Sequence, residues 1–543
     1  MGILRKPPQR GLFAVVLAFT TAPVITASTV PSQPPGAQVA TTAPIEWKPC
    51  EPEALEPVPP EDRFRYGCST YSVPTDHDDA SLGTIDIALM RRTVNRPETR
   101  IGSLFLNPGG PGGSGLAMPI GGDGMFEPSV LDRFDLVGFD PRGVGASSPL
   151  RCFTTEEEAE ANHARQWVVP VTESQIAETL GAFKDYGQIC GSNAGTLIEH
   201  MSTKDVVRDL DLLRAAVGDE TLNFVGFSYG TLIGATYANM FPGRTRALVL
   251  DGNVDPALRT ADGLRYDSER AAGFEISLNA FFAECTNDAA RCAFSDGDPR
   301  TKFDELRNHL RDEAITLPDG EVVDLGGFTG KIAGALYAPA KFSGLAGDLQ
   351  ALYSVINPAA WTPWPVTGKE DLPTLLGPQP DPRYDGPPDT PYTADDSHYA
   401  VNCADKAFAH TQADVPGIAA EWERASPTFG RSQAFGDPAA CPEWPATKPD
   451  AYGGPWDVTT EHPVLVLGNY YDPATRYEFA RRMADQLGNA RLVSADAHGH
   501  CILAKSAGID ALTAAYLVDL EIPAPNQVFR PDAKPFDPPP AHA

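Results

Sequence analysis

The stretch Leu222-Asn-Phe-Val-Gly-Phe-Ser-Tyr-Gly-Thr-Leu232 narrows the possible folds more than any other in the chain. Leu222 to Val225 is a short apolar run of the buried-strand type. A helical pattern through Ile233 and Tyr237 follows, until Pro242-Gly243 stops it. Between them lies Gly226-Phe-Ser228-Tyr-Gly230, a G-x-S-x-G turn. A strand that bends at once into a helix forces its central residue into a strained backbone conformation, and only small neighbours leave room for it. The serine hydroxyl is then held clear of the sheet, beside the free N–H groups that open the helix. Such a serine is presented as a nucleophile. The plainer reading is a glycine-rich turn with a surface serine, and the rest of the chain has to decide between them.

The neighbouring segments favour the nucleophile. Ile85, Ile87 and Leu89 alternate with polar or small residues, the period of a half-buried strand and the mark of an antiparallel edge. Ser103 to Leu106 is a buried strand running into Asn107-Pro-Gly-Gly-Pro-Gly-Gly-Ser-Gly115. Without a Gly-Lys-Ser/Thr ending, this loop does not fit a Walker-type phosphate site. It fits an oxyanion loop, in which glycines let backbone N–H groups approach a substrate carbonyl. Gly110 is the candidate for one donor, and the N–H of Tyr229 for the other. Phe134 to Phe139 is another buried strand, ending in Asp140-Pro-Arg-Gly-Val-Gly-Ala-Ser147, a loop expected to be braced by Asp140 and Arg142. Ser202-Thr-Lys-Asp205 has the form of a capping box for a helix with Val206, Leu210, Leu213 and Val217 on one face. Strand, helix, strand, helix implies a mostly parallel, doubly wound sheet.

The alternation stops between Pro256 and Pro455, where helical stretches, four cysteines and Pro/Gly-rich loops point to an inserted, mainly helical cap. Strands resume at Pro463-Val-Leu-Val-Leu467, which ends in Gly468-Asn-Tyr-Tyr-Asp472, and at Arg491-Leu-Val493, which leads to Ala497-His-Gly-His500-Cys501. Ser228, Asp472 and His500 thus each follow a strand and come in the order Ser, Asp, His. In an open parallel sheet the strand ends share one rim. A histidine there can take the serine's proton, and a carboxylate can orient the imidazole and stabilise its charged form. His498 is the rival base; His500 is preferred because it directly follows a glycine.

The expected division is a signal peptide at 1–27, a linker at 28–44, sheet core at 45–255, cap at 256–455, sheet core at 456–525 and a Pro-rich, frayed tail at 526–543. The signal peptide rests on Arg5, Lys6 and Arg10 before the apolar run Gly11 to Phe19, which is too short to span a bilayer. No later stretch is long and apolar enough to do so, and stable membrane insertion is not expected. Nine cysteines suit an exported chain and suggest local pairs, Cys50 with Cys68, Cys152 with Cys190, Cys285 with Cys292 and Cys403 with Cys441, leaving Cys501 over. Their spacing is not that of zinc knuckles, so no metal is expected, nor any cofactor. The net charge of −29 argues against nucleic acid and anionic membranes as partners.

Four motifs taken together carry a family resemblance. They are Asn107 to Gly115, Asp140 to Ser147, Met201-Ser-Thr-Lys-Asp-Val-Val-Arg-Asp209 and Gly226-Phe-Ser-Tyr-Gly-Thr231. Over about residues 45 to 525 the chain resembles the secreted tripeptidyl aminopeptidases of actinobacteria, α/β-hydrolases related to proline iminopeptidase. The resemblance implies release of short peptides or single residues from free N-termini, with a cap that limits access and holds the substrate's amine. It also draws attention to Asp405 in Asn402-Cys-Ala-Asp405, for which a helix-capping or salt-bridged role is preferred. Two features depart from it. Cys501 adjoins His500, where the relatives carry a later cysteine, and Pro108 stands where the iminopeptidases carry a histidine. A carboxylesterase using the same triad is the alternative, and a non-catalytic binding protein on a retired hydrolase fold the third.

Overall fold

The sheet is built from strands whose inward positions are apolar on both faces. The computed structural model describes residues 43–317, 320–358, 389–446 and 450–537; the expected signal peptide, most of the linker, the loops at 362–388 and the end of the tail lie outside the described residues. Ten strands, β1 (Lys48–Pro49), β2 (Tyr66–Pro74), β3 (Thr84–Arg92), β4 (Gly102–Asn107), β5 (Phe134–Phe139), β6 (Leu222–Phe227), β7 (Thr245–Asp251), β8 (Val464–Tyr471), β9 (Ala490–His498) and β10 (Val528–Phe529), form one sheet. Their order is β1-β2-β3-β5-β4-β6-β7-β8-β9-β10. The first three strands pair antiparallel and the others parallel. Within β4, Phe105 packs on one face while Leu104 and Leu106 pack on the other; β6 divides Phe224 from Val225 in the same way. That is the period of two, with both faces covered.

The chain runs from β4 outward to β5 and then returns past β4 to β6. The sheet's direction of growth therefore reverses between β4 and β6, and the ends of these two strands open a crevice where ligands bind in folds of this kind.

Helices α1 (Glu173–Asn193), α2 (Thr203–Ala216), α3 (Gly230–Met240), α4 (Gly263–Asn287), α5 (Pro299–Asp312), α6 (Leu325–Leu336), α7 (Phe342–Ile356), α8 (Ser397–Asp405), α9 (Val415–Ala425), α10 (Tyr477–Gln486) and α11 (Ala507–Asp519) supply the layers. Ser202 caps α2, its Oγ accepting the N–H of Asp205 at 3.2 Å and donating to the Asp205 carboxylate at 2.8 Å. Helices α4 to α7 carry a second apolar core of Phe281, Phe282, Phe303, Phe328 and Phe342.

The segment from Cys152 to Asn193 packs both into the core of the sheet, with Phe153, Phe183 and Tyr186, and against the insertion. Asp396 receives the hydroxyl of Tyr186 at 2.5 Å and the N–H of Cys152 at 2.6 Å, and Tyr186 meets the Trp444 ring edge-on. The tail is not frayed throughout. Val528–Phe529 adds a parallel strand beside β9, after the one expected to be last, and Phe536 is buried in the second core. Two apolar anchors spaced along a Pro-rich segment hold it, although neither is long enough to show as a pattern. Asp140 and Arg142 do brace their loop: Asp140 accepts the hydroxyl of Ser114 and the N–H groups of Gly115 and Ala146 at 2.6, 3.0 and 2.9 Å. The Arg142 guanidinium is buried and grips Asp209 at 2.7 and 2.8 Å, with the carbonyls of Pro74, Thr75 and His200 around it. All four expected disulfides are present, and Cys501 is free.

Candidate active site

Ser228 lies between β6 and α3 with φ of 55°, in the left-handed region that a side chain occupies at a cost. Its neighbours have no room for a Cβ. One on Gly226 would lie 2.4 Å from the carbonyl oxygen of Gly230, and one on Gly230 would lie 2.8 Å from that of Asn107. The G-x-S-x-G spacing is therefore a packing requirement between the turn, its helix and the neighbouring strand. The N–H of Ser228 donates to the carbonyl of Asp251 at 2.9 Å, which ties the turn to the end of β7.

His500 and Asp472 meet. The Nδ1 of His500 is 2.9 and 3.0 Å from the two carboxylate oxygens of Asp472, and Thr475 Oγ1 lies 3.2 Å from the same nitrogen. Asp472 is buried, and its Oδ1 also accepts the N–H groups of Ala474 and Thr475 at 3.0 and 2.8 Å. These bonds fix the orientation of the carboxylate towards the imidazole. His500 keeps 11% of its side chain open to solvent, enough to leave Nε2 for a reacting group. The rival His498 is turned away: it stacks on Tyr471, meets Phe342 edge-on, and has no contact with Asp472 among the described residues. Burial holds its pKa down at about 4.

The glycine loop lies directly against the turn. A Cβ on Gly109 would sit 2.4 Å from the carbonyl oxygen of Phe227 and 2.8 Å from the nitrogen of Tyr229. The N–H of Gly109 is occupied by Asn107 Oδ1 at 3.0 Å. Among the described residues, the N–H groups of Gly110 and Tyr229 make no hydrogen bond. Nor does the Ser228 hydroxyl. Two unpaired N–H groups, a hydroxyl and a carboxylate-bound imidazole on one rim can carry acyl transfer.

Sequence reasoning missed the supports. Asp251, at the end of β7, accepts the N–H groups of Ile502 and Leu503 at 2.8 and 2.9 Å, while its own carbonyl holds Ser228. One residue thus fixes both the turn and the loop after His500. Burial, opposed by those two N–H groups, pushes its carboxyl up to about 6. A charged residue at the end of a central strand was the available signal. Cys501 lies beneath the turn, its thiol 3.4 Å from the carbonyl of Asp251. Burial, with Asp251 and Asp472 adding to it, pushes that thiol well up, so it is no rival nucleophile.

Helix α8 of the insertion touches both donor segments. His398 Nδ1 donates to the carbonyl of Pro111 at 3.1 Å, and its Nε2 lies 3.1 Å from Asn402 Nδ2. Asn402 Oδ1 accepts Arg259, whose guanidinium lies 5.7 Å from the centre of the Tyr229 ring. Asp405 accepts the N–H and hydroxyl of Thr203 at 2.9 and 2.5 Å, and the same hydroxyl meets Tyr229 Oη. Its role is therefore that of a buried helix cap. Behind this row, Lys406 is wholly buried between Asp267 and Asp437, at 2.6 and 2.5 Å. Burial would push the Asp437 carboxyl up, but Lys406, with His398 and Arg270, holds it low.

Among the described residues no group of His, Cys, Asp and Glu could hold a metal ion, and no helix is long and apolar enough to cross a membrane.

The sheet order and the rim geometry define a hydrolase of the serine type. Residues 102–288 match a family model described as alpha/beta hydrolase fold, and residues 426–529 match one described as TAP-like protein. The chain is 30% identical over 494 residues to the serine protease Hip1 of Mycobacterium tuberculosis, covering 88% of this chain and 89% of that one. It is 29% identical over 487 residues to a tripeptidyl aminopeptidase of Streptomyces lividans, covering 85% and 82%. It is 30% identical over 481 residues to a carboxylesterase B of Mycobacterium tuberculosis, covering 84% and 85%. The chain belongs to the α/β-hydrolase family, within the group that includes these proteins, and is a serine hydrolase.

Proposed function

We propose that the protein is an exported serine exopeptidase that releases short peptides, tripeptides foremost, or single residues from free N-termini. In this reading Ser228 Oγ attacks the scissile carbonyl while His500 Nε2 takes its proton, and Asp472 stabilises the imidazolium through Nδ1. The oxyanion is received by the N–H groups of Gly110 and Tyr229. Collapse of the tetrahedral intermediate expels the amine, which takes its proton from His500, and leaves an acyl-enzyme that water hydrolyses by the same steps. The observation that carries the reading is the His500–Asp472 bond on the rim that holds the strained Ser228 turn.

The peptidase rather than esterase assignment is supported by relatives named as a serine protease and a tripeptidyl aminopeptidase. It is also supported by a helical insertion whose α8 reaches the glycine loop and so roofs the crevice. Four disulfides suit an exported protein. The relative named carboxylesterase B supports a second reading, ester hydrolysis by the same residues.

One experiment separates them: hydrolysis of a free-amine tripeptide anilide, its N-acetylated twin and a short p-nitrophenyl ester. Cleavage of the free-amine compound with the acetylated one spared is the expected result. Cleavage of the ester alone would move the protein to the esterases. The Ser228→Ala variant should stay folded by circular dichroism and lose about 10⁴- to 10⁶-fold in kcat.

A further inference from the structure

Helix α4 crosses directly over the loop that carries Asp472. A Cβ on Gly273 would lie 2.9 Å from the carbonyl oxygen of Pro473, so helix and loop are in contact at the backbone. Arg270 and Phe274 lie one turn apart on the same face of α4. The Phe274 ring is 6.1 Å from that of Tyr337, and the Tyr337 ring is 5.1 Å from the imidazole of His500. The carbonyl of Tyr337 also accepts the N–H of His500, at 2.9 Å. Arg270 is thus placed above the flank of the candidate base, with Tyr266, Tyr337, Asp267 and Asp437 around it.

Its guanidinium is largely unspent. Among the described residues its one ion-pair contact is a 3.8 Å approach of Nη1 to Asp267 Oδ1, an oxygen that Lys406 already holds at 2.6 Å. Among the described residues Arg270 makes no hydrogen bond, and 27% of its side chain remains open to solvent. Nearby, Arg259 bonds Asn402, Arg265 bonds Glu269, and Arg482 bonds Asp255 and Glu269, whereas Arg476 only approaches Glu269, at 3.8 Å. A planar cation with five N–H donors, ringed by protein yet still wet, is built to receive a carboxylate in a forked pair.

We propose that Arg270 anchors a carboxylate of the substrate beyond the scissile bond. This rests on the peptidase reading above. The side follows from the mechanism: His500 hands its proton to the departing amine, so a cation on that histidine's flank faces the leaving portion. Two peptide groups supply this chemistry, the C-terminal carboxylate of a short substrate and the side chain of an Asp or Glu just after the cut.

The test compares kcat/KM for a tetrapeptide with a free C-terminal carboxylate and for its C-terminal amide. The comparison is made in the wild type, Arg270→Gln and Arg270→Lys, with the products identified by mass. A longer amidated peptide carrying Glu or Gln after the cut distinguishes the two sources. The wild type should prefer the acid by about tenfold to a hundredfold, the range of one charge-assisted contact. The ratio should fall to near one in Arg270→Gln and recover in part in Arg270→Lys. Because each ratio is taken within one protein, a general loss of folding or of catalysis cancels. A wild-type ratio of one in both pairs, acid against amide and Glu against Gln, or a preference that survives in Arg270→Gln, overturns the anchor. If the tripeptide anilide is still cleaved in that case, the peptidase reading stands; if the ester alone is cleaved, that reading fails first.

Discussion

At the residue scale, one buried carboxylate decides which of two histidines can act. His498 and His500 are separated by a single glycine, yet only His500 reaches Asp472, because β9 ends at His498, whose ring packs against Tyr471 and Phe342, and the chain turns at Gly499, with φ of 90°, before His500. The buried His498 has a consequence for stability. It binds a proton at about 4 when folded, against about 6.5 for a free imidazole. The unfolded chain therefore takes up more protons between those values, and His498 withdraws stability as pH falls from 6.5 towards 4. The contribution is at most about 3 kcal/mol. Urea midpoints measured across that interval should fall less steeply in His498→Phe than in the wild type. Parallel curves would show that His498 is protonated in the folded state.

At the scale of elements, α8 is a strut for the glycine loop and the candidate nucleophile turn together. His398 holds Pro111, and Asn402 and Asp405 hold the groups around Tyr229. The helix is fastened at Cys403 to Cys441, a link spanning 38 residues. Closing a loop of that size stabilises by about 3–4 kcal/mol in the chain-entropy account. Replacing both cysteines with serine should lower the unfolding free energy, from urea titration, by that amount. It should also reduce kcat more than it raises KM, because the two candidate donors would lose a common support. An unchanged kcat in a less stable protein would detach α8 from the oxyanion site. The motif at Met201 to Asp209 gains its meaning at the same scale. Asp209 neutralises the buried Arg142 at 2.7 Å, and Thr203 links Asp405 to Tyr229. Two loops distant in sequence are thereby locked beside the crevice.

At the scale of the whole molecule, the tail fastens the insertion to the sheet. β10 lies on the outer edge of β9, and Phe536 reaches the second core, with ring centres 6.0 Å from Phe281 and 6.1 Å from Phe342. Truncating a buried aromatic costs about 3–5 kcal/mol. Phe536→Ala should therefore lower the melting temperature measurably, while a loss under 1 kcal/mol would show the tail to be only loosely docked. Covering the edge of β9 also removes a row of free N–H and C=O groups that would otherwise invite pairing with another chain.

The sequence by itself determined the strands, their parallel character, the nucleophile turn and the order of Ser228, Asp472 and His500, because each depends on local spacing. Gly226 answers to Gly230 four residues on, and apolar alternation in the strands is a local period, whereas Gly230 also answers to Asn107 of the neighbouring strand. Four disulfides followed from order along the chain for the same reason. What only the tertiary structure decided are the long-range polar contacts: Arg142 with Asp209, Asp251 beneath both the turn and the histidine loop, and Lys406 between two aspartates. A charged side chain announces that it needs a partner but not which one, since its choice depends on where folding brings segments hundreds of residues apart. The crevice is made of those choices.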